Sequence, residues 1–138
     1  MSPSVPDFDT IRDDLAFLDD WDERYAYIID LGRRLDPLPA ALHDDTRKVR
    51  GCASQVWLDI AETEEGRLAV RGDSDAAIVK GLVALMISLF SGRTRAEVAR
   101  LDPEARLAEI DLTDHITPQR SNGVASMIRR LKAEGSGA

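Results

Sequence analysis

The stretch Lys48-Val49-Arg50-Gly51-Cys52-Ala53-Ser54-Gln55-Val56-Trp57-Leu58-Asp59-Ile60 holds the only cysteine of the chain, placed directly after a glycine. From Val56 onward the apolar residues Val56, Leu58 and Ile60 alternate with Trp57, Asp59 and Ala61, the period of a half-buried strand. The thiol therefore falls at a presented position, where a loop feeds a sheet. After the turn Thr63-Glu64-Glu65-Gly66, Leu68 and Val70 resume the period of two, which predicts a hairpin. Val49 is assigned to a short third strand. Three strands with one apolar face still need helices packed against that face.

The flanking sequence supplies them. Gly72-Asp73-Ser74-Asp75 offers N-cap residues for a helix running through Ala76 to Phe90 and stopped by Gly92. It is apolar on nearly every side, which makes it the central helix. Upstream, Ile11, Leu15 and Leu18 follow a helical spacing from Asp7, behind acidic first turns. A second helix is predicted over about Asp22 to Arg34, with Trp21, Tyr25, Ile28 and Leu35 on one side. Asp36-Pro37-Leu38-Pro39 ends it, and the polar segment Ala40 to Arg47 receives no element. Downstream, Thr94 and Glu97 form a capping box ahead of Val98 and Leu101, and Asp102-Pro103 opens a short helix carrying Leu107 and Ile110. Thr117-Pro118 starts the last helix, with Val124, Met127, Ile128 and Leu131 as its stripe. Helices, a small antiparallel sheet of about three strands, then helices is an α+β order. Residues 1–138 read as one domain, with 1–6 and 135–138 expected to be flexible ends.

Composition narrows the function. Hydrophobic residues at 43% and charged residues at 31% describe an ordinary globular chain. The 18 basic against 25 acidic residues give a net charge of -7, which repels a phosphate backbone and argues against nucleic acid. A lone cysteine makes no internal disulfide, and MSPSVPDFDT has neither the basic nor the apolar region of a signal peptide, so a cytoplasmic location is expected. The run from Ala76 to Phe90 is broken by Lys80 and falls short of the roughly 20 residues a membrane-spanning helix needs.

The sequence contains no CxxC pair, HExxH, GxxxxGK[ST] or GxGxxG. One cysteine and two histidines fall short of the about four ligands of a zinc or iron-sulfur site, so no such metal site is expected. Cys52 has two readings, a small buried hydrophobe or a reactive thiolate. Gly51, the polar Ser54 and the nearby cations Lys48 and Arg50 bring the second level with the first, and the residues alone leave both open. A Cys-His hydrolase with His43 or His115 as base is an alternative in another class, although neither an oxyanion donor nor an orienting third group is evident. By default the two histidines are polar loop residues, Trp21 and Trp57 pack in the core, and Arg47, Arg50 and Arg120 lie at the surface.

The segment Val49-Arg50-Gly51-Cys52-Ala53-Ser54-Gln55-Val56-Trp57 resembles the V-x-G-C-x-S-x-V-W signature of the SufE family of cysteine-desulfuration proteins. Gly72-Asp73-Ser74-Asp75-Ala76-Ala77-Ile78-Val79-Lys80-Gly81 and His115-Ile116-Thr117-Pro118-Gln119-Arg120-Ser121-Asn122-Gly123 are similar to two further stretches of that family, and Trp21 to Leu35 to its second helix. The resemblance implies a small curved antiparallel sheet with helices, as in IscU-type scaffolds. It implies a sulfur carrier rather than an enzyme, with no cofactor of its own. Cys52 would accept persulfide sulfur from a pyridoxal-phosphate cysteine desulfurase (SufS-like), stimulate that enzyme, and pass the sulfur to an iron-sulfur scaffold complex (SufBCD-like). Arg50, Gly51, Gln55, Asp75 and Arg120 are implied to position the loop or meet the desulfurase. Many relatives carry a larger polar residue where this chain has Ala53, so loop anchoring from that position is expected to differ.

Overall fold

The computed structural model describes residues 5–136. The expectation for residues 1–4 and 137–138 lies outside the described residues. Helices α1 (Phe8–Ala16) and α2 (Trp21–Arg33) come first, followed by a single 3-10 turn at Ala40–Leu42. Strands β1 (Val56–Glu62) and β2 (Leu68–Ser74) form the sheet, and α3 (Ala77–Phe90), α4 (Arg95–Arg100), α5 (Pro103–Ala108) and α6 (Pro118–Gly135) complete the chain. A second 3-10 turn covers Thr113–His115. This is the α+β arrangement that the order of elements predicts.

The sheet is an antiparallel hairpin of two strands among the described residues, paired from Val56↔Ser74 to Glu62↔Leu68. The expected third strand shrinks to one bridge, Lys48↔Trp57. The Val49 N–H donates to Val56 O at 2.8 Å, and the Leu58 N–H donates to Arg47 O at 2.9 Å. Pairing stops there because both sides of the segment turn. The Lys48 N–H closes a turn onto Asp44 O at 3.0 Å, and Gly51 leaves the strand direction at φ 90°. Period-two burial holds within the hairpin, with Val56, Leu58, Leu68 and Val70 facing inward. On the other face Asp59 binds Arg47 at 3.0 Å and the cross-strand Arg71 at 2.7 Å.

Helix α3 is the central element, packed by β2, α1, α2 and α6. Leu82, Val83, Ala84, Leu85, Met86, Leu89 and Phe90 are all enclosed. It meets α2 at backbone distance, since a Cβ on Gly81 would lie 2.3 Å from the Ile28 carbonyl oxygen. The start of α3 differs from expectation. Gly72, Asp73 and Ser74 remain in β2, and the N-cap is Ala76, which makes no side-chain capping bond. The residue that looks like a cap, Asp75, is engaged elsewhere.

The other caps follow the sequence. Asp7 and Asp20 cap α1 and α2, Thr94 and Glu97 complete a capping box at α4, Pro103 takes the first turn of α5, and Thr117 caps α6. The ends are better anchored than expected at two places. Val5 is buried in the core, and Gly135 is buried as the last residue of α6, its backbone facing Leu68 and Val98. Both join the apolar core, which a composition-based reading of termini does not register.

Candidate functional site

Residues 51–55 form the loop that joins the bridged segment to β1, and it is closed at both ends. At its start, Gly51 has a left-handed backbone, and a Cβ there would stand 2.5 Å from Ser126 Oγ on α6. Glycine is required twice over, by conformation and by contact. At its end, the Gln55 N–H donates to Asp75 Oδ1 at 3.0 Å, and the Asp75 N–H donates to Gln55 O at 3.3 Å. Asp75 thus clamps the loop to the β2–α3 junction, which explains why it does not cap α3.

Gly51, Ala53 and Gln55 are exposed, yet the Cys52 thiol turns inward and is half-buried. Its Sγ lies 3.7 Å from the Gly123 carbonyl oxygen on α6, positioned to donate a weak hydrogen bond. Val79 and Leu82 of α3 and Met127 of α6 line the same pocket, with Gln119 and Arg120 at its polar side. Burial pushes the Cys52 thiol above its ordinary pKa. The expectation that Lys48 and Arg50 favour the thiolate is corrected here, because desolvation is the operative influence and Arg50 turns to a different face.

Arg50 lines a shallow groove with Val49, Ser126, Arg129 and Arg130. Arg129 donates to Ser126 Oγ at 3.0 Å, and Arg130 reaches the carbonyls of Lys48 and Thr46. This cationic groove borders the loop from outside, while Arg120 borders the sulfur from α6. Gly51, Cys52, Gln55, Asp75 and Arg120 therefore gather around one loop, and Arg50 flanks it.

Neither histidine joins them. His43 Nε2 lies 2.8 Å from Asp73 Oδ2, its ring meets Trp57 edge-on, and Lys80 also reaches Asp73 at 3.3 Å. His115 stacks on Trp21 at 4.1 Å, with its carbonyl accepting from the Tyr25 hydroxyl. The structure does not bring together the parts of a Cys-His hydrolase: the Cys52 pocket has no histidine in its wall. A larger cavity of about 480 Å³ lies along β2, lined by residues such as Val70, Arg71 and Ile87, and likewise contains no cysteine or histidine. No helix among the described residues is long and apolar enough to cross a membrane.

Sequence reasoning alone left several pocket residues unmarked. Leu82 and Met127 carry only a core pattern, Val79 stands in the second quoted motif with nothing to mark it as a neighbour of Cys52, and Ser126 carries no signal. Gly123 stands inside the third quoted motif, although nothing in its neighbours shows that it meets Cys52.

A two-stranded hairpin whose cysteine loop is backed by a central apolar helix and a C-terminal helix defines a small α+β domain. The comparisons make this specific. Residues 9–135 match SufE, described as an Fe-S metabolism associated domain. An uncharacterised SufE-like protein of Rhizobium meliloti (strain 1021) is 46% identical over 132 residues, covering 94% of each chain. Another, from Rhizobium etli, is 43% identical over 129 residues, covering 91% of this chain and 87% of the relative. The solution structure of a hypothetical protein from Thermus thermophilus superimposes with a TM-score of 0.76 over 97% of this chain and 96% of that one, at 18% identity. The chain belongs to the SufE family. Its place is in iron-sulfur metabolism, which accords with a sulfur-transfer role.

Proposed function

We propose that this protein accepts persulfide sulfur on Cys52 from a pyridoxal-phosphate cysteine desulfurase, stimulates that enzyme by unloading it, and relays the sulfur to an iron-sulfur scaffold. The observation that carries this reading is the half-buried thiol on a clamped loop, 3.7 Å from Gly123 O, in a chain of the SufE family. The transfer balances without an external oxidant. The Cys52 thiolate attacks the outer sulfur of the donor persulfide, a new S–S bond forms at Cys52, and the donor S–S bond breaks with its electron pair leaving on the donor cysteine. Cys52 loses its thiol proton to solvent or the partner, and the donor thiolate takes one up.

The raised thiol pKa supports a carrier that is quiet until docked. A thiol held in an apolar pocket is a poor nucleophile, so transfer requires the loop to release Cys52 into the partner's site. The Asp75 clamp and Gly51 are the closing and hinge elements of that motion, and Arg120 and the Arg50 groove are surfaces for the partner. The cytoplasm, where thiols stay reduced, is the compartment that suits such chemistry.

The test is desulfurase turnover. With cysteine as substrate, alanine release by a cysteine desulfurase should rise when the wild-type protein is added and stay at its basal rate with Cys52→Ser. Equal stimulation by the two proteins would remove Cys52 from the mechanism.

A further inference from the structure

We propose that Gly123 reserves the space in which the outer sulfur of a Cys52 persulfide is sheltered. The inference rests on the sulfur-transfer reading and adds the residue that decides whether the cargo is held under cover. Gly123 is buried within α6 with ordinary helical backbone, and it is not among the positive-φ residues. Conformation therefore gives no reason for glycine, which is a poorer helix former than alanine. Space does.

A methyl group on Gly123 would stand 3.5 Å from Cys52 Sγ and 3.9 Å from Cys52 Cβ. These are ordinary van der Waals separations, so alanine tolerates the plain thiol. It leaves nothing over. The pocket holds about 20 Å³ of free volume, and a single water-sized atom needs roughly 10–15 Å³. A persulfide adds one heavy atom about 2.05 Å from Sγ. The space beside the thiol is thus of the order of one added atom, and Val79, Leu82 and Met127 line it with apolar side chains from two helices.

Loading Cys52 chemically makes the test independent of any desulfurase. The Cys52 thiolate attacks a sulfur of sodium polysulfide, and the polysulfide leaves one sulfur shorter. The persulfide is then followed by intact mass during reduction with dithiothreitol, and the plain thiol by iodoacetamide alkylation in parallel. Gly123→Ala should shorten the persulfide lifetime on the order of tenfold, as overpacking of a filled site does, while thiol alkylation stays within about twofold. Val79→Ile, which adds one methylene from α3, should act in the same direction. Equal persulfide lifetimes in the three proteins would overturn the proposal, and so would an equal acceleration of thiol and persulfide reactions, which means only a loosened loop. If Gly123→Ala loses its cooperative thermal transition, Val79→Ile alone decides. Failure of a desulfurase to load wild-type Cys52 would count against the sulfur-transfer reading and leave this comparison standing.

Discussion

Removing the Asp75 carboxylate should open the cysteine loop without unfolding the domain. Two hydrogen bonds close the loop at Gln55, the N–H to Asp75 Oδ1 at 3.0 Å and the carbonyl from the Asp75 N–H at 3.3 Å. Asp75→Ala deletes the first and keeps the second. Asp75 is exposed, so the value of a solvent-screened bond applies, about 0.5–1.5 kcal/mol. At about 1.4 kcal/mol per tenfold, the open population rises roughly 2- to 12-fold. Alkylation of Cys52 by iodoacetamide at fixed pH reads this directly, because in the local-opening regime the observed rate is the open fraction times the intrinsic rate. The acceleration should be nearly independent of low urea concentrations, since little surface is exposed when one loop lifts. An unchanged alkylation rate would refute the clamp. A faster rate that climbs with urea as steeply as global unfolding would refute the loop as the moving part.

The Cys52 thiol is raised by burial, so the folded state holds its proton more tightly than the unfolded chain; stability is full below the ordinary value of 9.0 and declines as pH climbs through the higher folded-state pKa. The urea midpoint of the wild type should therefore fall in that alkaline window more than that of Cys52→Ala, and parallel profiles would contradict the burial. His43 is raised by its hydrogen bond to Asp73, with the Pro39 carbonyl adding to it and burial opposing, so its stabilisation is complete below 6.5 and is lost as pH rises through the folded-state midpoint. An NMR titration should place that midpoint above 6.5 and Asp73→Asn should lower it; an identical midpoint in both proteins would rule out the pair. Gly81→Ala forces a Cβ to within 2.3 Å of the Ile28 carbonyl, a backbone contact that cannot yield cheaply. It should cost about 1–3 kcal/mol or more and lower Tm by several degrees in a circular dichroism melt, whereas an unchanged Tm would mean that α2 and α3 do not cross so closely.

The fold was legible where one element satisfies its own backbone. Capping boxes, prolines at helix starts and the apolar face of the hairpin are local statements, and Thr94, Pro103, Thr117, Val56 and Leu58 stand where their spacing puts them. The misreadings arose where a residue has two possible partners. Asp75 has the chemistry of an N-cap, but the Gln55 N–H, twenty residues earlier, takes its carboxylate. Val49 has the pattern of a strand, but turns on both sides leave only the bridge at its neighbour Lys48. At the site, Cys52, Gly51 and Asp75 could be picked from motifs. Their assembly could not, because the pocket is made by α3 and α6, whose Leu82 and Met127 look like any core positions. The sign of the thiol shift was invisible for the same reason: Lys48 and Arg50 are neighbours in sequence, while desolvation comes from residues far along the chain.

Whether Cys52 carries sulfur is read from the mass of the protein. The wild-type protein and Cys52→Ser are each incubated with a cysteine desulfurase and cysteine, then weighed intact under non-reducing conditions. The wild type should gain the mass of one sulfur atom, dithiothreitol should remove it, and Cys52→Ser should stay unmodified while keeping its thermal transition. A folded wild-type protein that gains no sulfur, or a Cys52→Ser variant that gains it equally, would contradict the account.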